Sequence, residues 1–166
     1  MESGHTDQGR MSDRECIFCA IIEGQAPAEV VFEDGDTLGF MDINPANPGH
    51  TLVIPKRHIQ DIYGMDEDTA AAVMGTVVRV AGAIKRALQP EGMNLVQSNE
   101  RAGGQDVFHF HMHIIPRWYG DGLRLARPPE VRRTMPIKEA AARIRREVAK
   151  VRTIAAAYTD ICCGKK

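Results

Sequence analysis

The strongest constraint on the fold is an alternation of histidine with apolar residues in the segment His109-Phe110-His111-Met112-His113-Ile114-Ile115. In a strand, successive side chains point to opposite faces and each residue advances the chain by about 3.3 Å. A helix would instead distribute the three imidazoles around its surface. The alternation therefore predicts a strand with His109, His111 and His113 on one face and its apolar residues toward the core.

The rest of the chain combines short apolar runs with one long helical stretch. Residues 66–89 begin with acidic residues and place Lys85 and Arg86 just before Pro90, an order that suits a helix and its dipole. A C-terminal helix is expected over residues 137–153. Runs typical of strands lie at residues 30–32, 38–41, 51–54, 93–99 and 108–115. Clustered strands without strict βαβ alternation predict an α+β domain.

Length, composition and charge indicate one ordinary globular domain. The chain has 166 residues, of which 43% are hydrophobic and 26% are charged, and a chain of this length supports one core. We predict a disordered extension at residues 1–14, a single domain over 15–155 and a tail at 156–166. With 21 Lys and Arg against 22 Asp and Glu, nothing in the net charge favours binding to nucleic acid.

The apolar runs are too short to cross or enter a membrane. None approaches the roughly 20 residues of a transmembrane helix, and the first residues lack the apolar core of a signal peptide. We therefore expect a cytoplasmic protein without a membrane partner.

Three imidazoles on one strand face need partners, because burying an unpaired polar group is costly. A cleft that binds a charged substrate would supply such partners. The residues alone leave two chemistries open. His-x-His on a strand can present two nitrogens to one zinc ion, and a neutral imidazole can attack phosphorus to form a covalent intermediate.

Cys16 and Cys19 have the Cys-x-x-Cys spacing of half a tetrahedral zinc site. A disulfide framework is disfavoured in the reducing compartment expected for this chain. The pair is therefore interpreted as metal ligands or as plain thiols. Cys162 and Cys163 lie in the predicted tail, and we assign no function to them.

The alternating histidines resemble the signature of the histidine-triad (HIT) family, in which single apolar residues separate three histidines and two more apolar residues follow. The segment Pro48–His58 resembles the second conserved block of that family, and the similarity extends from about Cys16 to Pro116. The resemblance implies a HIT-like α+β domain with about five antiparallel strands, one long helix and a C-terminal helix. It also implies a homodimer in which the sheets join side by side, with the long helix and the strand region after the triad at the interface.

The resemblance implies that His111 is the nucleophile, attacking the α-phosphorus of a nucleotide and becoming transiently nucleotidylated. His113 would lie near the phosphate oxygens and His50 would support the nucleophile, both in electrostatic or orienting roles. The implied nucleotide-binding residues are Asp42, Ile43, Phe18, Asn99, Gln105, Asp106 and Val107. Among them, Asp42 would bond the ribose hydroxyls, and Phe18 and Ile43 would line the nucleoside pocket.

Asp106 departs from the family pattern, because many relatives carry a small hydroxyl residue at this position. A carboxylate facing a phosphate would repel it. Asp106 is therefore expected to turn away, to be protonated, or to meet a cationic leaving group such as an amine.

A bacterial-looking branch of the family resembles this chain in carrying a Cys-x-x-Cys pair just before the first helix. By position, the resemblance implies that zinc is held by Cys16, Cys19, His58 and His109. Such a closed site with four protein ligands would be structural.

The activity implied is that of a nucleotide hydrolase or transferase, specifically a purine nucleoside phosphoramidase. One alternative keeps His111 but takes dinucleoside polyphosphates, by hydrolysis or phosphorolysis. Another is a zinc-stabilised interaction module that binds nucleotide without turning it over. A DNA-end processing enzyme is ranked last, because it would need a basic DNA-binding appendage and the net charge of -1 gives it little support.

Overall fold

The computed structural model describes residues 16–124, 136, 138–139, 141–146 and 148. Over residues 16–124, the strands are β1 (Val30–Glu33), β2 (Thr37–Met41), β3 (Thr51–Pro55), β4 (Gly92–Val96) and β5 (Met112–Arg117). The helices are α1 (Ile17–Ile22), α2 (Glu67–Leu88) and α3 (Glu100–Gly103), with a 3-10 turn at Ile62–Gly64. Within the described part of the chain, no helix has both the length and the apolarity to span a bilayer.

The chain divides after Leu123 into two compact units. All of the strands and helices named above belong to the first unit. In the second unit, the described residues 138–139, 141–146 and 148 are helical, within the range predicted for the C-terminal helix. The boundaries predicted for the extension, the single domain and the tail stay predictions, and Cys162 and Cys163 lie outside the described residues.

The five strands form one antiparallel sheet in the order β1-β2-β3-β5-β4. This arrangement confirms the predicted α+β class and the five-stranded antiparallel sheet. The central strand β3 pairs with β2 on one side and with β5 on the other, and Leu52 lies opposite His113.

Strand β5 is shifted toward the C terminus relative to the predicted range of 108–115. It begins only at Met112, because β3 ends at Pro55 and offers no further ladder partner. Pro55 has no backbone N–H, and its carbonyl accepts from the side chain of His109. It continues through Pro116 to Arg117, although the sequence predicted an end at the proline. The ladder to β3 stops at Ile114, so only β4 pairs with Pro116 and a missing N–H is tolerated there.

Helix α2 covers one face of the sheet and has the limits that its charge order predicts. Its N-cap residue Asp66 accepts a 2.8 Å hydrogen bond from the backbone N–H of Thr69, and the helix ends before Gln89, whose φ of 50° is left-handed. The core on this side is formed by Val53, Ile59, Val73, Val77, Val80, Ile84, Phe110 and Ile114.

Helix α1 covers the opposite face of the sheet. Its Phe18 packs into a second core with Cys16, Leu38, Phe40, Leu52 and Ile54. Because His113 lies opposite Leu52 across the β3–β5 ladder, their side chains share this face. The histidines therefore come to lie on the face that α1 covers.

The segment between β4 and the histidines contains the single-turn helix α3. It ends at Gly104, whose φ of 90° provides the left-handed C-cap that glycine favours. This turn leads directly into the histidine segment.

Candidate functional site

The four predicted metal ligands Cys16, Cys19, His58 and His109 form one cluster. Their sulfur and nitrogen atoms all lie within 4.8 Å of one another. Cys19 Sγ lies 3.2 Å from His58 Nδ1, and both Cys16 Sγ and Cys19 Sγ lie 3.6 Å from His109 Nδ1. Cys16 and His109 are buried, while Cys19 is half-buried.

These spacings fit a tetrahedral zinc ion. Zinc bonds to thiolate sulfur at about 2.3 Å and to imidazole nitrogen at about 2.0 Å, which places sulfur and nitrogen ligands roughly 3.6 Å apart. The three measured sulfur–nitrogen distances of 3.2, 3.6 and 3.6 Å agree with this value. When bound, zinc would link α1 to the sheet as a rigid four-ligand centre.

A backbone hydrogen bond orients His109 toward the two thiols. Its Nε2 lies 2.9 Å from the carbonyl oxygen of Pro55, which can only accept, so Nε2 carries the proton. Nδ1 is then an unprotonated nitrogen beside Cys16 and Cys19. A metal-binding histidine typically shows this pattern, with its second nitrogen bonded to a carbonyl.

His111 has the opposite tautomer. Its Nδ1 donates a 2.7 Å hydrogen bond to the carbonyl oxygen of His109, which leaves Nε2 with a lone pair. The side chain is buried, and this burial lowers its pKa, against the smaller raising effects of the hydrogen bond and of Asp42 and Asp106. His111 is therefore a neutral imidazole at pH 7, as a nucleophile must be.

His50, His113 and Asp42 form a second cluster beside His111. The backbone N–H of Ala46 donates to His50 Nδ1 at 3.1 Å, so the proton of His50 lies on Nε2. That Nε2 lies 2.9 Å from His113 Nδ1 and 3.4 Å from Asp42 Oδ2. His113 thus accepts at Nδ1 and carries its own proton on Nε2, while its ring centroid lies 4.9 Å from that of His111.

Burial keeps the two imidazoles of this second cluster neutral as well. Burial, together with neighbouring His111 and His50, lowers the pKa of His113 to about 4, against the raising effects of Asp42 and Asp106. Burial also lowers the pKa of His50, partly offset by Asp42. At neutral pH the site therefore offers hydrogen-bond donors and one nucleophilic lone pair rather than imidazolium cations.

The side chain of Gln105 bonds to backbone groups of its own loop and of the segment after β3. Its Nε2 donates to the carbonyl oxygens of Gln60 at 2.6 Å and Val107 at 3.1 Å, and its Oε1 accepts from the N–H of Glu100 at 2.8 Å. The side chain is buried. The structure thus shows Gln105 anchoring the segment that leads to the triad, and its contact with phosphate stays a prediction.

The other predicted nucleotide-binding residues surround the triad in different settings. Phe18 is buried, with its ring centroid 5.4 Å from that of His111, whereas Ile43 is 92% exposed beside Asp42. Asn99 accepts at Oδ1 from the N–H of Ile62 at 2.9 Å, and Asp106 is exposed. Val107 packs against the core beneath α1.

A polar clamp that the sequence did not predict holds the loop before His50. Asp121 receives two hydrogen bonds from Arg117, at 2.6 and 2.7 Å, and one from Asn47 Nδ2 at 2.9 Å. The carbonyl of Asn47 accepts the N–H of His50 at 3.1 Å. No periodic signal marks this clamp, because only the fold brings Asn47, in the loop before His50, to Asp121, which follows β5.

Comparisons with known proteins agree with this site. A model of the HIT domain matches residues 23–119. The protein hit of Bacillus subtilis is 47% identical over 109 residues, which are 65% of this chain and 75% of the relative. The adenylylsulfatase HINT3 of Arabidopsis thaliana is 35% identical over 132 residues, 74% of this chain and 67% of the relative.

Among solved structures, a zinc-bound histidine triad family protein from Mycobacterium smegmatis superimposes with a TM-score of 0.65. It is 40% identical, and the match covers 72% of this chain and 86% of that structure. The similarity therefore includes a protein in which zinc has been observed.

Proposed function

Because this chain belongs to the histidine-triad (HIT) family of nucleotide-binding hydrolases and transferases, we propose that it cleaves nucleotide conjugates at the α-phosphate through a nucleotidyl intermediate on His111. The observation that carries the proposal is the tautomer of His111. Its Nδ1 proton is held by the carbonyl of His109 at 2.7 Å, so Nε2 presents a lone pair from a neutral ring.

In the first step, His111 Nε2 forms a bond to the α-phosphorus while the bond to the leaving group breaks. In the second step, water attacks phosphorus, the bond to Nε2 breaks, and the nucleoside monophosphate leaves. Protons are exchanged with solvent, because a neutral His113 hydrogen-bonded to His50 is a donor of hydrogen bonds and a poor source of a whole proton. Its Nε2–H would stabilise charge on the phosphoryl oxygens.

The preferred substrate is a purine nucleoside phosphoramidate, whose leaving group is an amine. Two carboxylates, Asp42 and Asp106, act electrostatically on His111 and His113. Such a negative environment favours an amine over an anionic leaving group. Dinucleoside polyphosphates and adenosine 5′-phosphosulfate are competing substrates, the second suggested by the name of the Arabidopsis thaliana relative.

The remaining residues complete the proposed nucleotide site. Asp42 would bond the ribose hydroxyls, and Phe18 and Ile43 would line the nucleoside pocket. The loop with Asn99, Gln105, Asp106 and Val107 would contact the phosphate.

Turnover of adenosine 5′-phosphoramidate, a diadenosine polyphosphate and adenosine 5′-phosphosulfate by wild type and by His111→Asn tests the proposal. We expect the phosphoramidate to be the best substrate and the variant to lose at least about 10³-fold in kcat, since the nucleophile has no substitute. His5→Asn makes the same exchange outside the described residues and should keep wild-type rates. Turnover retained in His111→Asn would contradict the covalent mechanism, and nucleotide binding without turnover in wild type would favour the interaction module.

We further propose that the Cys16, Cys19, His58 and His109 cluster holds one structural zinc ion. The spacing of the cluster and the zinc-bound relative support this assignment. Native mass spectrometry should find one zinc per chain in wild type and in Cys162→Ser, and none in Cys16→Ser. The melting temperature of Cys16→Ser should be lower than that of wild type. An apo wild-type protein, or an unchanged melting temperature in Cys16→Ser, would disprove it.

A homodimer with joined sheets is also part of the proposed assembly. Strand β4 lies at one edge of the sheet. Exposed apolar side chains occur on β4 and on α2, at Leu95, Met74 and Val78. An edge strand and exposed apolar side chains are features that a second copy would cover.

A further inference from the structure

The metal cluster and the nucleophile are joined through a single residue, His109. Its side chain lies 3.6 Å from the sulfurs of Cys16 and Cys19, while its backbone carbonyl accepts the Nδ1 proton of His111 at 2.7 Å. Its ring is fully buried and its Nε2 is bonded to the carbonyl of Pro55. A movement of His109 away from the thiols would therefore also move the group that fixes the tautomer of His111.

Helix α1 makes a second connection between the same two sites. Phe18 lies between the two cysteines in sequence, and its ring packs edge-on against both His109 and His111, with centroid distances of 5.9 and 5.4 Å. Phe18 is only 7% exposed. The two cysteines therefore position Phe18, whose ring packs against His111.

The two thiols are placed to react with each other. Cys16 caps α1 and Cys19 lies three residues later, so both side chains project from the same side of the helix. Their sulfurs lie within 4.8 Å of each other, and Cys19 is half-buried rather than sealed in the core. A disulfide would bring the sulfurs to about 2.0 Å and withdraw both of them as ligands.

We propose that Cys16 and Cys19 form a peroxide-sensitive modification site that controls the orientation of His111. The thiolate of Cys19 attacks one oxygen of hydrogen peroxide, forming a sulfenic acid and releasing hydroxide. The sulfur of Cys16 then attacks the sulfur of Cys19, forming the disulfide and releasing water. Overall, two thiols lose two electrons and two protons while one peroxide becomes two water molecules. Loss of both sulfur ligands frees His109 and α1, and the bond between the His109 carbonyl and His111 is no longer enforced.

The test uses the full-length, zinc-loaded protein carrying Cys162→Ser and Cys163→Ser, which leaves Cys16 and Cys19 as its thiols. Hydrogen peroxide is titrated in, and peptide mass spectrometry identifies the oxidised residues while a chromogenic chelator measures released zinc. Spectra of protein with ¹⁵N-labelled histidine report the His111 tautomer. A dithiol with added zinc then tests reversibility, which separates disulfide formation from the oxidation of methionine.

We expect the Cys16–Cys19 disulfide to form with release of one zinc ion. His111 should change from a single Nδ1-protonated form to a mixture of tautomers, and turnover should fall by roughly 10- to 100-fold, as for other losses of groups that orient a reacting residue. Treatment with the dithiol and zinc should restore the bound zinc, the single tautomer of His111 and the turnover. The expected change in kcat rests on the proposed function, whereas the thiol state, the zinc release and the tautomer of His111 do not. A failure of the proposed function can therefore be told apart from a failure of the peroxide-sensitive site.

Two outcomes would overturn the inference. One is a disulfide and zinc loss with an unchanged His111 spectrum and unchanged turnover, which would make the cluster independent of the nucleophile. The other is inactivation by peroxide while Cys16 and Cys19 stay reduced.

Discussion

Hydrogen bonds assign a different role to each histidine of the triad. His109 donates through Nε2 to Pro55, His111 donates through Nδ1 to His109, and His113 accepts at Nδ1 from His50. These hydrogen-bond patterns suit the roles proposed for the three residues, as metal ligand, nucleophile and donor to phosphate. The differences arise from which nitrogen keeps its lone pair.

The neutral state of His113 makes protein stability depend on pH. Its folded pKa of about 4 lies below the usual value of 6.5, so the unfolded state takes up the proton first as the pH falls. Its contribution to stability is complete above pH 6.5 and is lost between pH 6.5 and 4. Between pH 6.5 and 4, the unfolding free energy of His113→Asn should therefore fall by up to about 3 kcal/mol less than that of wild type.

Urea unfolding of wild type and His113→Asn at pH 7, 5.5 and 4 measures this effect. The metal cluster is common to both proteins, so its contribution to the unfolding free energy cancels in the comparison. Asp66→Asn provides the control. Hydrogen bonds from Thr69 and Arg57 lower the pKa of Asp66 to about 2, so the pH-dependent part of its contribution is lost only below about pH 4. Parallel pH profiles for wild type and His113→Asn would refute the expectation.

At the scale of elements, the loop between β2 and β3 is the part of the site with the least regular structure. Residues Asp42 and His50 lie at its two ends, where the N–H of Asp42 donates to the carbonyl of His50 at 3.0 Å. Asn47 ties its middle to the carbonyl of Pro116 and to Asp121. The loop therefore holds His50 against the end of β5 without a helix or strand of its own.

Gly49 makes this loop possible and provides a test of it. Its φ is +84°, and an added Cβ would collide with Leu88 and lie 3.2 Å from Pro116 Cγ. We expect Gly49→Ala to lower the free energy of unfolding by roughly 1–3 kcal/mol, because a left-handed backbone is strained for any residue with a Cβ. It should also reduce kcat, since His50 is the next residue.

Gly35→Ala is the matched control, since a Cβ at Gly35 meets nothing within 4 Å. Its unfolding free energy in urea should lie within about 0.5 kcal/mol of wild type. Equal stability of the two alanine variants would show that the tight approach at Gly49 is not maintained in solution.

For the whole molecule, the sheet has two edges of different character. β1 ends the sheet on one side and β4 on the other. The proposed homodimer uses the β4 edge together with α2, where Val78 is 65% exposed. A second copy covering this surface would bury apolar side chains in addition to the two cores on the faces of the sheet.

Light scattering over a range of protein concentrations should give a dimer for wild type. Val78→Asp should shift it toward monomer, because a charge would be buried against apolar surface. Val30→Asp places the same charge on β1, at the other edge, on a side chain that is 49% exposed, and should leave the dimer intact. A monomeric wild type, or equal dissociation in both variants, would rule out this interface.

Sequence alone determined the features that depend on local spacing. Charge order placed α2 between residues 66 and 89, and the Cys-x-x-Cys pair was interpreted as metal ligands or plain thiols. Period-two alternation predicted a strand at the three histidines, of which β5 contains only His113. Such local predictions are possible because the direction of neighbouring side chains follows from backbone geometry over a few residues. The fold class followed from the order of such elements together with the family resemblance.

Only the tertiary structure decided which groups meet. It brought Cys16 beside His109, 93 positions away, ended β3 at Pro55, and assembled the Arg117–Asp121 clamp on Asn47. It also bonded the side-chain amide of Gln105 to the backbone of Glu100, Gln60 and Val107. The physical reason is that these contacts and the histidine tautomers depend on donors and acceptors from distant segments, which local periodicity does not encode.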